Sequence, residues 1–212
     1  MRRLGVVVVC VLALPALAFA RGAFYHDKPL PTRSGTTSAS RIEPRFGRVA
    51  SSLAGKPAQV RCWSALDWAR INGDLLAYGG AVESLDHVSG FYRADTGRIH
   101  LDPTACAGLV DLLYRRLRPE QGRAFVRIAL GVDTLAHESM HSRGFRNEAV
   151  TECYAVQLNY QTATALGASR AYASLIAQRS WAAYPAHPSN YVSRECHDGG
   201  KLDLSPNRST WP

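Results

Sequence analysis

No two of the chain's five cysteines stand as CxxC, no segment repeats, and only three of its 25 cations are lysine. The missing CxxC excludes a zinc knuckle built on paired thiolates. The missing repeat excludes a stacked solenoid. The arginines are scattered rather than interleaved with aromatics, so neither a base-stacking platform nor any nucleic-acid motif is present and no nucleic-acid partner is expected. The formal charge is +8, and it falls to +6 if Arg2 and Arg3 are removed. Such a balance favours anionic surfaces such as cell-wall polymers or acidic peptides, although in most proteins it means only a solvated face.

Arg2 and Arg3 precede an apolar stretch from Leu4 to Phe19, and Ala18-Phe19-Ala20 fits the small-x-small pattern of a signal-peptide cleavage site. Residues 1–20 are therefore predicted to be a signal peptide, removed together with Cys10. The stretch is short for a permanent membrane anchor, so no stable membrane insertion is expected after cleavage. An exported chain, secreted or held in the cell envelope, can keep its remaining cysteines oxidised. Cys62, Cys106, Cys153 and Cys196 allow three pairings, among which sequence alone does not select. Pairing neighbours along the chain joins Cys62 to Cys106 and Cys153 to Cys196.

About 190 residues would then remain, enough for one domain with a real core and too few for a separate recognition module. Residues 21–57 are rich in Ser, Thr, Gly, Pro and Arg, and read as a flexible leader. A propeptide covering an active site is the sharper alternative. It would lack a thiol latch, because no cysteine occurs between Arg21 and Arg61. The folded domain is predicted over 58–212.

The chemistry is announced at His137-Glu138-Ser139-Met140-His141, an HExxH run. Two histidines four apart lie on one helix face, and neutral imidazole nitrogens are good zinc ligands. Glu138 is placed to take a proton from a metal-activated water rather than to bind the metal. The preceding Phe125, Ile128, Ala129, Val132, Leu135 and Ala136 recur at helical spacing, which makes the helix largely buried. Polar groups at the end of such a helix need partners, and a metal with its water supplies them. A catalytic zinc takes three protein ligands, and this run gives two. Gly144 can stop the helix and reverse the chain, and Asn147 can cap a second helix from about Glu148 to Leu166. Glu148 and Glu152 lie one turn apart on it, and either can reach back to the metal.

The run from His137 to Glu152 resembles the zincin metallopeptidases. Asn147-Glu148-Ala149-Val150-Thr151-Glu152 is similar to the second motif, NExxSD, of thermolysin-type gluzincins. By that resemblance Glu148 is the third zinc ligand and Glu152 orients a histidine. Only six residues separate His141 from Glu148, a shorter spacing than in thermolysin-like enzymes and closer to the metzincin pattern HExxHxxGxxH. In strict metzincin register the third ligand would be Asn147, a poor zinc ligand, so gluzincin-like is the better description.

Elsewhere, Trp63, Leu66, Trp68 and Ile71 suggest a helix through about Ala77, and Gly79-Gly80 marks a loop. Gly90–Arg93 and Arg98–Leu101 flank Ala94-Asp95-Thr96-Gly97 and read as a β-hairpin. By the zincin resemblance this hairpin is a candidate cleft rim. Thr104 after Pro103 can cap a helix ending near Arg118, and Pro119 can open the HExxH helix. Tyr172, Leu175, Ile176 and Trp181 mark a last helix before a polar, loop-like tail. The predicted class is α+β and predominantly helical, with a small hairpin or sheet and an active-site helix followed by a glutamate helix.

An oxyanion donor would complete the site. Tyr154, Tyr184, His187, Tyr191 and His197 follow the metal motif, with His187 and Tyr154 as the candidates and His100 in the hairpin equally open. The expected function is a secreted zinc-dependent metallopeptidase acting on a peptide or protein, cell-wall peptide included. The alternatives are a non-catalytic exported protein with a structural metal site, closed by His187 or His197, and a cell-wall peptide amidase.

Overall fold

The computed structural model describes residues 39–77 and 88–207. The expected signal peptide over 1–20, the leader as far as residue 38 and the Gly79-Gly80 loop lie outside the described residues. In chain order the elements are β1 (Arg41–Ile42), α1 (Pro44–Ala54), β2 (Gln59–Cys62), α2 (Ala65–Ala77), β3 (Gly90–Arg93) and β4 (Arg98–Leu101). Four long helices follow: α3 (Pro103–Leu113), α4 (Gly122–Arg143), α5 (Glu148–Ala165) and α6 (Arg170–Ala183). Two single 3-10 turns, Tyr184–Ala186 and Ser189–Tyr191, open the tail. The chain is thus α+β and mostly helical.

The leader ends earlier than its composition suggested. Residues 41–42 pair antiparallel with β2, and 44–54 form a helix with Phe46 and Ala50 fully buried in the main core. Phe46, Val49, Ala50 and Leu53 have the i, i+3, i+4, i+7 spacing of a buried helical stripe, and that burial outweighs the local richness in Ser and Gly.

The sheet order is β1-β2-β4-β3. β3 and β4 form the expected antiparallel hairpin, while β2 pairs with β4 in parallel, Val60 opposite Ile99. A parallel pair needs a crossover, supplied here by α2 and the hairpin's first strand. β3 is the outer strand among the described residues, and it packs beside α4.

The helices pack around α4. Its residues Phe125, Ile128, Ala129, Val132 and Leu135 join Leu109 and Leu112 of α3, Ala163 of α5 and Ile176 of α6 in one core. Each fully buried aliphatic side chain contributes about 1.5–3 kcal/mol. α3 and α4 approach closely through paired glycines: a Cβ at Gly108 would lie 2.1 Å from the Arg127 carbonyl oxygen, and one at Gly131 would lie 2.4 Å from that of Ala105. Three helix ends differ from the sequence reading. Pro103 takes the first helical position of α3, so the residue before it, Asp102, caps the helix by accepting from Ala105 N at 2.6 Å, not Thr104. α3 stops at Leu113 rather than near Arg118, and α4 starts at Gly122 rather than at Pro119. The intervening loop is held by its own bonds: the Tyr172 hydroxyl donates to Pro119 O, and Arg118 donates to the carbonyls of Leu112 and Gly167.

Both expected disulfides are present, Cys62–Cys106 between β2 and α3 and Cys153–Cys196 between α5 and the tail, with Cα separations of 5.7 and 5.6 Å. No helix among the described residues is long and apolar enough to cross a membrane.

Candidate metal centre

α4 carries His137, Glu138 and His141 in its last two turns, which are still largely buried. It stops at Gly144, whose φ of 123° is open to glycine and costly for other residues, and whose N–H donates to the carbonyls of Met140 and His141. The chain turns and α5 begins behind Asn147, whose side chain accepts from Val150 N at 3.0 Å. This short reversal sets the first turn of α5 against the last turns of α4.

Three atoms converge. His137 Nε2 lies 3.0 Å from His141 Nε2 and 3.1 Å from Glu148 Oε2, and His141 Nε2 lies 3.2 Å from the same oxygen. Tetrahedral zinc with ligand bonds near 2.0–2.1 Å sets its ligand atoms about 3.3–3.4 Å apart, so the triangle fits a metal after small adjustment. The other imidazole nitrogens are already engaged. His137 Nδ1 is 2.7 Å from Glu152 Oε2, and His141 Nδ1 is 2.9 Å from the carbonyl oxygen of Phe145, to which it can donate. Such partners fix the tautomer and leave Nε2 for a metal. These residues form a group that can hold a metal ion.

The two acids left open by the sequence thus divide their tasks. Glu148 joins the ligand triangle. Glu152, only 3 % exposed, bonds His137 from behind and lies 3.0 Å from His187 Nδ1 on its other oxygen. The His187 contact is an ion pair by distance and is not aligned as a hydrogen bond. Behind them stands Asp133, one helical turn before His137, which accepts from Asn159 Nδ2. Burial and the nearby Glu152 carboxylate push Asp133 up to about 7. Its i−4 spacing from His137 was the signal that could have found it.

Glu138 is 4 % exposed, and its Oε2 is buried without a hydrogen-bond partner. Burial raises its carboxyl above the usual range against the opposing pull of His137 and His141. A buried, unpaired carboxylate oxygen beside a ligand triangle is unfavourable unless something is to be bound there.

A cleft of about 580 Å³ opens over these groups. His137, Glu138, His141 and Glu148 lie along one wall, Gly90, Phe91 and Tyr92 of β3 along another, with Phe145, Arg146, Lys56 and Tyr191 around them. The hairpin is therefore a cleft wall. Neither oxyanion candidate lines it: His187 is turned to Glu152, and Tyr154 packs edge-on against Phe145 with ring centroids 4.8 Å apart. Tyr191, stacked on His137 at 5.8 Å, lines the cleft in their place. His197 is exposed, with Nδ1 on its neighbour's Asp198 carbonyl, and Tyr184 is buried with its hydroxyl accepting from Ser193 N. His100 is buried in the aromatic stack of Phe91 and Trp63, accepting from Trp63 Nε1 at 3.0 Å.

No protein family matches the chain, and no curated protein or solved structure is significantly similar to it. The chemistry of the site therefore rests on these residues alone.

The pH response of the metal-free cluster follows from its charges. Burial opposes ionisation of Glu148 and of Glu152, but the bonds of Glu148 to His137 and His141, and the bond of Glu152 to His137 with its close contact to His187, outweigh it and hold both carboxyls at about 2. Depressed acids contribute stability that is present above their ordinary range and lost as pH falls toward 2. Burial would lower His137 and His141, yet bonds to Glu148 and, for His137, Glu152 raise both. Raised imidazoles contribute stability that is present below pH 6.5 and lost as pH rises through their folded values. A metal instead requires neutral imidazole, so its binding expels these protons. The melting temperature of metal-loaded protein is expected to exceed that of metal-free protein by a margin that grows from pH 5 to pH 8. A margin that is flat or shrinks over this range would contradict ligation by the two histidines.

Proposed function

We propose that the chain is an exported zinc-dependent hydrolase, a metallopeptidase of zincin type, with His137, His141 and Glu148 holding the metal and Glu138 as general base. The observation that carries this reading is the buried, unpaired Glu138 oxygen next to the three-ligand triangle on the wall of an open cleft. Zinc, when bound, supplies a Lewis acid that polarises a substrate carbonyl and acidifies water at neutral pH. The Glu138 carboxylate takes the proton of the attacking water and hands it to the leaving amine nitrogen. Tyr191, which lines the same cleft, is the candidate donor to the carbonyl oxygen as its charge builds. β3, the outer strand among the described residues, offers that edge to an extended peptide, whose main chain can pair with it as an added strand.

A structural metal site closes with a fourth protein ligand. His187 faces Glu152 and His197 bonds its own neighbour, so among the described residues the group stops at three. That favours a hydrolase over a non-catalytic binding protein. The two disulfides are consistent with export to an oxidising compartment.

The test is a digest of a peptide library, with cell-wall peptides included, by the mature protein. Cleavage is expected with zinc, absent after chelation, and restored by adding zinc back. Zinc-loaded protein that cleaves nothing in the library would move the reading to the binding protein.

A further inference from the structure

We propose that residues 184–204 form a clamp on the metal site, latched by the Cys153–Cys196 disulfide, in which His187 and Tyr191 are positioning residues. The inference rests on the assignment of His137, His141 and Glu148 as metal ligands. The segment stands apart from the main core. Tyr184, Val192, Cys196 and Leu202 form a small cluster of their own against Cys153, Val156 and Trp181.

Its covalent anchor and its hydrogen bonds to Gln157 lie on α5, while Trp181 of α6 packs against it. The disulfide fixes it to α5 at Cys153. One turn later Gln157 donates to Leu202 O and accepts from Leu204 N, each at 2.8 Å. The Tyr184 hydroxyl accepts from Ser193 N at 2.8 Å and so closes the loop between them. Across that loop the chain passes over the site. His187 Nδ1 lies 3.0 Å from Glu152 Oε1, and the Tyr191 ring stacks on His137 with a 28° angle between planes.

The latch and the carboxylate are adjacent in sequence, Glu152 then Cys153. The turn of α5 that orients His137 is therefore the turn to which the tail is bolted. Both clamp contacts serve the His137 arm of the triangle. The His141 arm is held by the Phe145 carbonyl in the loop just after α4. Opening the latch leaves Glu152 without His187 and His137 without the Tyr191 ring. Loss of such outer partners typically weakens metal binding by about 10–100-fold. A dithiol opens it by exchange: two electrons and two protons pass to Cys153 and Cys196, which become thiols, and the dithiol leaves as a cyclic disulfide.

The experiment measures zinc transfer from the loaded full-length mature protein to excess chromogenic chelator. Cys153→Ser/Cys196→Ser and His187→Ala are each expected to release zinc about 10–100-fold faster than wild type. His187→Asn, which keeps a nitrogen donor for Glu152, restores much of the retention; a purely space-filling role for His187 would not give that rescue. Cys62→Ser/Cys106→Ser cuts a bridge between β2 and α3, neither cysteine of which lines the cleft, and leaves the release rate near wild type. Wild-type release from both the cut-latch and His187→Ala proteins would overturn the clamp and leave the ligand assignment standing. Equal acceleration by cutting either bridge would also overturn it, by showing general loosening. A wild-type protein that takes up no zinc would remove the ligand assignment and the clamp together.

Discussion

Glu138→Gln is expected to lower kcat by about 10²–10⁴-fold, the usual contribution of a positioned acid–base group, while zinc content stays at the wild-type level. The amide is nearly the same size as the carboxyl, and the side chain is buried at the end of a well-packed helix, so the fold has no reason to change. Glu138 is not in the ligand triangle, so neither does metal binding. What disappears is, among the described residues, the one carboxylate on the cleft wall that is not drawn into that triangle. The carboxyl's environment favours this role. Burial raises its carboxyl above the usual range, which suits a group that must both accept and return a proton. Activity retained in the glutamine variant would remove Glu138 from the mechanism. Loss of zinc with loss of activity would show that it is a ligand instead.

The second large effect separates the two glutamates of α5. Glu148→Ala removes one of three ligand atoms and is expected to abolish stable zinc occupancy at micromolar metal. Glu152→Ala keeps all three and removes only an orienting partner, so affinity falls by about 10–100-fold. The larger loss at position 148 follows from geometry: Glu148 Oε2 is within 3.2 Å of both Nε2 atoms, whereas Glu152 meets His137 on the opposite ring nitrogen. Isothermal titration of zinc into the two apo-proteins gives the ranking. The reverse order would make Glu152 the ligand.

The site was legible in sequence where it depended on helix geometry. Residues four apart meet on one face, which put His137 beside His141, and a glycine stop followed by an Asn cap was enough to place a second helix against the first. The same periodicity marked the buried stripe from Phe125 to Ala136, every member of which is in the interior. Both disulfides joined neighbours along the chain. What depended on long-range placement was not legible. Tyr191 reaches the cleft within a tail that the Cys153–Cys196 bridge and Gln157 tie back to α5, and no local pattern encodes that return. The parallel pairing of β2 with β4 spans about forty residues and leaves no mark in either strand. Lys56 and Arg146 sit in turns whose direction only the packed fold determines. The helix at 44–54 is a different case: its apolar spacing was readable, and the surrounding Ser, Gly and Pro obscured it.

If His137, His141 and Glu148 make one metal site, the mature protein binds one zinc through them. Elemental analysis of the purified mature protein, dialysed against trace zinc, tests it most directly when wild type is compared with His137→Ala and His141→Ala. One zinc per wild-type chain and none in either variant is the expected result. Metal-free wild type, or equal zinc in all three proteins, would contradict it.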